Sequence, residues 1–263
     1  MRHGRMLSYQ HSYHAGNLAD VHKHALLAWM LAQMVAKDKP LSFIDTHAGR
    51  GLYDLGSVEA RKTGEAQAGI EALADRFAPD DPYARMLSAV RAQHGPMAYP
   101  GTPLIARHLL RPQDRMTLAE LHPGEHEALQ TVMAGSGARI YRRDGLALVL
   151  SMAPPAPRRG VVIIDPSYEV KDDYTTLPEV LRKLRRKWNV GVLLLWYPVL
   201  AAGLQNAMLA QIRADHPDAA IFETRFPPAR AGHGLHGAGL VVLNPPFGLK
   251  DRAAQVDALM RGQ

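Results

Sequence analysis

Short apolar runs that stop abruptly at an acid or a turn recur along this chain, and stretches with an apolar residue every three or four positions lie between them. Residues 7–16 are polar and aromatic without a period and read as an ordered loop. Leu18, Val21, Ala25, Ala28, Trp29, Ala32 and Val35 then recur at helical spacing, which predicts a helix over 18–37 with Asn17 as its N-cap. Residues 41–44 read as a strand, followed by the turn Asp45-Thr46-His47-Ala48-Gly49-Arg50-Gly51. From 56 to about 99 the pattern changes. Ala, Glu and Arg dominate and no strand candidate stands out, so a small helical insertion is predicted. Beyond Pro100-Gly101-Thr102-Pro103, helices over 104–110, 125–133, 146–152, 177–187 and 205–216 alternate with strands over 116–119, 138–141, 161–164 and 190–197. Two late strands follow at 219–224 and 240–243. Such alternation predicts an α/β fold with a mostly parallel sheet covered by helices on both faces. Consecutive terminal strands predict an antiparallel edge. One domain over 1–263 is expected, with an N-terminal motif over 7–37 and the insertion over about 56–99.

Composition narrows the chemistry. The 263 residues are enough for a full core. There is no cysteine, which excludes disulfides, thiolate metal sites, a cysteine nucleophile and cysteine-held iron–sulfur clusters. It therefore also excludes pyrimidine carbon-5 methylation through a cysteine adduct. The 31 Lys and Arg against 25 Asp and Glu give a net charge of +6, which favours a polyanionic partner. No run of 18 apolar residues is present and no apolar segment follows the basic N-terminus, so neither a membrane helix nor a secretory signal is predicted and a cytoplasmic location is expected.

Acids stand at four strand ends: Asp45, Glu120, Asp144 and Asp165. In a doubly wound sheet these ends face one crevice. Gly49-Arg50-Gly51 lets a ligand approach the backbone. The turn is not a dinucleotide fingerprint, because position 54 is Asp54. It is not a phosphate-binding Walker loop either, because Leu52-Tyr53 stand where a lysine is needed. A nucleoside without polyphosphate remains, with Glu120 suited to ribose hydroxyls and Asp144 to an adenine amino group. S-adenosylmethionine has those parts. Asp165-Pro166-Ser167-Tyr168 then suits an exocyclic amine as acceptor. The Asp165 carboxylate and the Pro166 carbonyl accept its hydrogens, and Tyr168 stacks on the base, an interaction worth about 1–3 kcal/mol. Asn244-Pro245-Pro246-Phe247 imitates that motif, but Asp165 lies one helix-plus-strand unit after Asp144 and is favoured.

Taken together, these motifs resemble the RlmJ family of adenine-N6 methyltransferases of large-subunit ribosomal RNA. The resemblance rests on His-Ala-Gly-Asn at 14–17, Lys23-His24, Asp45 through Gly51, Pro100-Gly101-Thr102-Pro103, Glu120-Leu121-His122-Pro123, Asp144-Gly145, Asp165 through Glu169 and Trp196-Tyr197-Pro198. It implies a Rossmann-like S-adenosylmethionine-dependent methyltransferase fold, with no metal. The implied substrate is 23S rRNA before full ribosome assembly, and the enzyme is expected to be a monomer. It implies that His24, His47, Gly49, Thr102, Glu120, Asp144, Gly145 and Asp165 bind the cofactor, which leaves as S-adenosylhomocysteine. Tyr9, Lys23, Asp165, Pro166 and Tyr168 form the catalytic side. Two positions depart from the family: Asp-Pro-Ser-Tyr replaces Asp-Pro-Pro-Tyr, and Thr102 stands in for a serine. The family is also described in connection with the use of external DNA, which implies an alternative as a DNA adenine methyltransferase or a metal-dependent nuclease.

The remaining features favour nucleic acid over metal. His11, His14, His22 and His24 cluster, but residues two apart on a helix point apart, so the spacing makes a poor metal site. Arg182-Lys183-Leu184-Arg185-Arg186-Lys187 is a basic helical run. Residues 227–239 read as a mobile loop flanking the substrate. A nucleic-acid-binding module without catalysis is the third alternative.

Overall fold

The computed structural model describes residues 10–227 and 234–262. In chain order, α1 (Leu18–Val35) is capped by Asn17, whose side chain accepts the Asp20 amide at 2.9 Å. Of its 18 residues, 13 are buried, among them Asp20, His22, Lys23 and His24. β1 (Ser42–Asp45) follows. β2 (Leu52–Asp54) pairs antiparallel with β3 (Ala98–Pro100). Between them lie α2 (Val58–Thr63), a kinked helical segment Gln67–Glu71, a short turn Ala74–Arg76 and α3 (Pro82–His94). The insertion is thus helical as expected but closed by a strand pair that the sequence reading missed. Three-residue strands carry too few positions to show a period, and Pro100 argues against a strand.

The chain continues through α4 (Thr102–Leu109), β4 (Arg115–Ala119), α5 (Pro123–Val132), β5 (Arg139–Tyr141), α6 (Gly145–Met152) and β6 (Gly160–Ile164). Then come α7 (Asp173–Lys187), β7 (Val192–Leu200), α8 (Gln205–Asp215), β8 (Ala220–Arg225), β9 (Leu235–Leu243) and α9 (Leu249–Arg261). Two expectations need correction. β9 begins at Leu235, so part of the stretch expected to be a mobile loop is a paired strand, while Arg230 and His233 lie outside the described residues. The C-terminal helix α9 was not expected. It packs on α1, buries Val256 and Met260, and ties itself to the insertion through Arg252 and Asp81 at 2.6 Å.

The sheet order is β5-β4-β1-β6-β7-β9-β8. β5, β4, β1, β6 and β7 are parallel, and β9 is antiparallel to both β7 and β8. This is the Rossmann-like, mostly parallel α/β sheet with an antiparallel edge that was expected. The chain winds outward from β1 to β5, then returns to β6 on the other side of β1. The strand order therefore reverses between β1 and β6, and a crevice opens at their carboxyl ends. One core packs Phe43, Leu118, Val161 and Leu194 beneath α1 and α4. A second packs Val162, Ile164, Leu177, Leu181 and Trp188 on the opposite side of the sheet.

Candidate active site

A cavity of about 540 Å³ opens at this reversal. Its lining combines the N-terminal part of α1, the turn after β1, Thr102, the turn after β4, residues 165–169 after β6, and the end of β7. Lys23, His24, His47, Gly49, Thr102, Glu120, Asp165, Pro166 and Tyr168 all line it.

Glycine is required in the turn after β1. Gly49 and Gly51 have φ of +61° and +81°, in the left-handed region, and a Cβ on Gly49 would sit 2.6 Å from the Tyr53 hydroxyl. The Gly49 amide donates to Glu120 Oε2 at 2.9 Å and the His122 amide donates to Oε1 at 2.7 Å. Glu120 is thereby pinned with one lone pair left on each oxygen. Burial pushes its carboxyl above the usual range, while the two amides work against that push. Arg50 and Glu125 form a two-point ion pair beside it, at 3.0 and 2.6 Å.

Two further acids stand at the ends of the adjacent strands β1 and β6. Asp45 is fully buried beneath the cavity, and burial raises its pKa to about 7. The Thr102 hydroxyl and the His47 amide donate to it. Asp165, by contrast, is bound by the Lys23 ammonium at 2.6 Å. Burial works against the charge of Lys23, but Asp165 and Asp20 outweigh it and raise the lysine above its ordinary value. An acid that burial pushes toward its protonated form and an acid paired with a lysine ammonium thus sit on neighbouring strands.

Asp20 is the residue that sequence reasoning missed. Only 2% exposed, it accepts from Lys23 Nζ at 3.0 Å and the Gly16 amide at 3.0 Å, and it meets His11 Nε2 at 2.9 Å. Burial opposes its charge, but His11, Lys23 and His24 hold its carboxyl well below the usual range. Asp20 therefore couples the segment entering α1 to Lys23 and through it to Asp165. An acid in the first turn of a helix ordinarily reads as a partner of the helix dipole, so nothing in the sequence singled it out. His24 Nδ1 meets the Tyr99 hydroxyl at 2.9 Å, and burial lowers the His24 pKa to about 3. His47 is likewise lowered, to about 4, again by burial. Both imidazoles are neutral near pH 7.

Tyr168 sits at a φ of 56°, rare for a bulky residue and worth about 1–3 kcal/mol of backbone strain. Its hydroxyl donates to the Trp196 carbonyl at 2.7 Å, and its ring packs on Tyr174 at 4.8 Å. With 9% exposure it is a wall of the cavity rather than a free platform. The Trp196 ring lies 5.6 Å from Lys23 Nζ.

Two expected site residues stand elsewhere, and a third is not among the described residues. Asp144 is exposed, caps α6 through the Ala147 amide at 2.9 Å, and is not part of the cavity lining. Gly145 is also outside the lining. A side chain there would collide with the Thr46 carbonyl, so its role is the close approach of α6 to the turn after β1. Tyr9 lies outside the described residues. Asn244 is at the opposite face of the sheet, where its side chain donates to the Asn189 and Gly191 carbonyls at 2.9 and 2.7 Å. Among the described residues, no three His, Cys, Asp or Glu side chains are grouped to hold a metal, and no helix is long and apolar enough to cross a membrane.

The sequence and the fold have close relatives. The family model described as "Ribosomal RNA large subunit methyltransferase D, RlmJ" matches residues 38–262. A protein of Escherichia coli (strain K12) named ribosomal RNA large subunit methyltransferase J is 36% identical over 256 residues, covering 95% of this chain and 91% of the relative. Its namesake from Haemophilus influenzae is 35% identical, covering 95% of this chain and 92% of the relative. The crystal structure of protein LPL1258 from Legionella pneumophila superposes with a TM-score of 0.85 at 31% identity, covering 93% of this chain and 92% of that one.

Proposed function

The chain belongs to the RlmJ family of ribosomal RNA large subunit methyltransferases, and from that footing we propose that it transfers a methyl group from S-adenosylmethionine to the exocyclic N6 of an adenine in 23S rRNA. The observation that carries this reading is the 2.6 Å contact of Lys23 with Asp165 at the carboxyl end of β6, inside a cavity of ligand size.

The residues present fit S-adenosylmethionine. Glu120 is fixed by two amides and keeps acceptor capacity for a pair of vicinal hydroxyls. Gly49 leaves the backbone open, and His24, His47 and Thr102 line the adjoining wall. When bound, the cofactor supplies an activated methyl group. The chain's own residues act on the acceptor. An adenine amine is a weak nucleophile because its lone pair is shared with the ring. Asp165 and the Pro166 carbonyl accept its hydrogens and localise that lone pair on nitrogen. The Lys23 ammonium, 2.6 Å away, fixes the Asp165 carboxyl in place for that contact. Once the new N–C bond forms, nitrogen carries a surplus proton, and Asp165 is placed to take it. The cluster of Tyr168, Tyr174 and Trp196 walls the base side. Orientation and electrostatic preorganisation supply most of the acceleration.

The test is transfer of labelled methyl from S-adenosylmethionine to protein-free large-subunit rRNA, with the product nucleoside identified. N6-methyladenine is expected. Cofactor binding without any such product sinks the reading, and equal transfer to DNA reassigns the substrate.

A further inference from the structure

The cavity is poorly suited to attract a polyanion. Among the described residues, five carboxylates and two lysines line it, and Lys23 is already held between two of those carboxylates. His24 and His47 are neutral there. The chain's positive charge lies elsewhere. All strands of the sheet except β9 start at the face opposite the cavity, and β9 ends there. Residues 36–41, 110–115, 133–139, 153–159, 185–191, 215–219 and 244–250, which form that face, contain eleven Lys and Arg against four Asp. This excess of seven is larger than the net +6 of the entire chain, so the rest of the molecule is slightly acidic.

Not all of these cations are free to bind. Arg111 donates to the carbonyls of Val35, Lys37 and Lys39, and Arg159 to those of Lys39 and Met34, so both close off the end of α1. Arg111 and Arg185 are also ion-paired, to Asp114 and Asp218. The other eight, Lys39, Arg158 and Lys187 among them, are exposed and make no ion pair among the described residues, although Arg158 donates to the Asn189 side chain at 3.3 Å and Lys187 to the Leu150 carbonyl at 2.8 Å. On the same face Phe247 is fully exposed, at 101%, and Val190 is 55% exposed. The bonds from Asn244 to Asn189 and Gly191 hold the two turns together. Exposed cations on a face that also displays an aromatic ring match a nucleic-acid backbone with unstacked bases.

We propose that this face is a second RNA-docking surface, which binds the sugar–phosphate backbone of the substrate away from the modified base. The proposal rests on the RNA substrate proposed above. β6 spans five residues, about 16 Å, so the two faces are separated by the height of the sheet. A longer folded rRNA seated at the cavity has more backbone with which to extend around the sheet to the basic face than a short hairpin does.

The test compares the protein with its Lys39→Glu, Arg158→Glu, Lys187→Glu triple variant. Methylation is measured on full-length protein-free large-subunit rRNA and on a short hairpin cut from it that keeps the modified base. Filter binding of the same RNAs gives a readout independent of turnover. The variant is expected to raise KM and Kd for the long RNA about ten-fold or more and to lessen the log-affinity against log-salt slope by about 2–3. The same variant leaves kcat, and KM for the short hairpin, within about two-fold. Phe247→Ala is expected to raise KM for the long RNA about five-fold. Unchanged affinity for the long RNA in both variants overturns the proposal. So does unchanged RNA affinity accompanied by lost binding to phosphatidylserine vesicles, which assigns the face to a membrane surface. Loss of long-RNA binding in the triple variant supports docking even if the wild-type protein methylates no rRNA, an outcome that counts against the proposed activity alone.

Discussion

Two turns of this molecule look alike in sequence and do opposite work. Asp165-Pro166-Ser167-Tyr168 and Asn244-Pro245-Pro246-Phe247 each leave a sheet strand through a polar residue, a proline and an aromatic. Each also holds a residue other than glycine in the left-handed region, Tyr168 at 56° and Asn244 at 55°. In the first turn the acid reaches the cavity and binds Lys23, while the aromatic is buried and anchored to the Trp196 carbonyl. In the second the amide is spent on two backbone carbonyls of a neighbouring loop, and the aromatic stands in solvent. Strand direction separates them. β6 runs parallel to β1 and delivers its last residue to the crevice, whereas β9 runs antiparallel and delivers its own to the far face. Residue types make a site possible; the face to which the backbone carries them decides whether it exists.

The sharpest way to break this comparison is to remove the acid. Asp165→Ala is expected to lower methyl transfer to rRNA by about 10³-fold or more while the circular-dichroism spectrum stays native. Retained turnover moves the chemistry to another residue and erases the difference between the turns. Asp20→Asn comes next. It weakens the clamp on Lys23 without touching the acceptor, so kcat is expected to fall about 10–100-fold, with stability lower by about 3 kcal/mol. Asp20→Glu should recover part of the rate, and full activity in Asp20→Asn shows that Lys23 is positioned without its help. Asn244→Ala leaves two carbonyls unpaired and a left-handed residue without its amide. A loss of about 1–3 kcal/mol by denaturant melts is expected, with kcat unchanged. A fall in kcat as large as that of Asp165→Ala reinstates the second turn as a candidate site.

The smallest expected effect tests the buried acid next to Asp165. Asp45 holds a proton up to about pH 7 in the folded protein and loses it near pH 4 when unfolded. The folded state binds more protons between those values, so this group makes stability fall as pH rises from about 4 to about 7. His24 and His47, lowered by burial to about 3 and 4, act in the opposite sense. Both stay neutral in the folded state but take up protons below pH 6.5 when unfolded, so stability falls as pH drops from there. Asp45→Asn removes one side of this balance. Denaturant midpoints between pH 4 and 7 should then rise more steeply with pH than in the wild type. Parallel profiles show that Asp45 is already ionised in the folded protein across that range.

Much of the architecture was legible in the sequence because buried strands must be apolar and must end in turns. The runs at 41–44, 116–119, 138–141 and 161–164 all became parallel strands, in the expected order and within about two residues of their predicted ends. The acids Glu120 and Asp165, which share the lining of one cavity, stood out for the same reason, since an acid closing an apolar strand has few other uses. Asp144 followed the same rule yet is occupied as a helix cap, a role with the same sequence signature. What stayed hidden depends on partners distant in the chain. β3 exists because β2 lies beside it, and α9 because α1 offers a face. Lys23 meets Asp165 across 142 positions of sequence. Periodicity, capping residues and acid-terminated runs are local, and they determined the elements and their order. The Asp20–Lys23–Asp165 clamp and the division into an acidic cavity and a basic far face were settled only by packing, because burial and opposed charges act between residues that only the folded chain brings together.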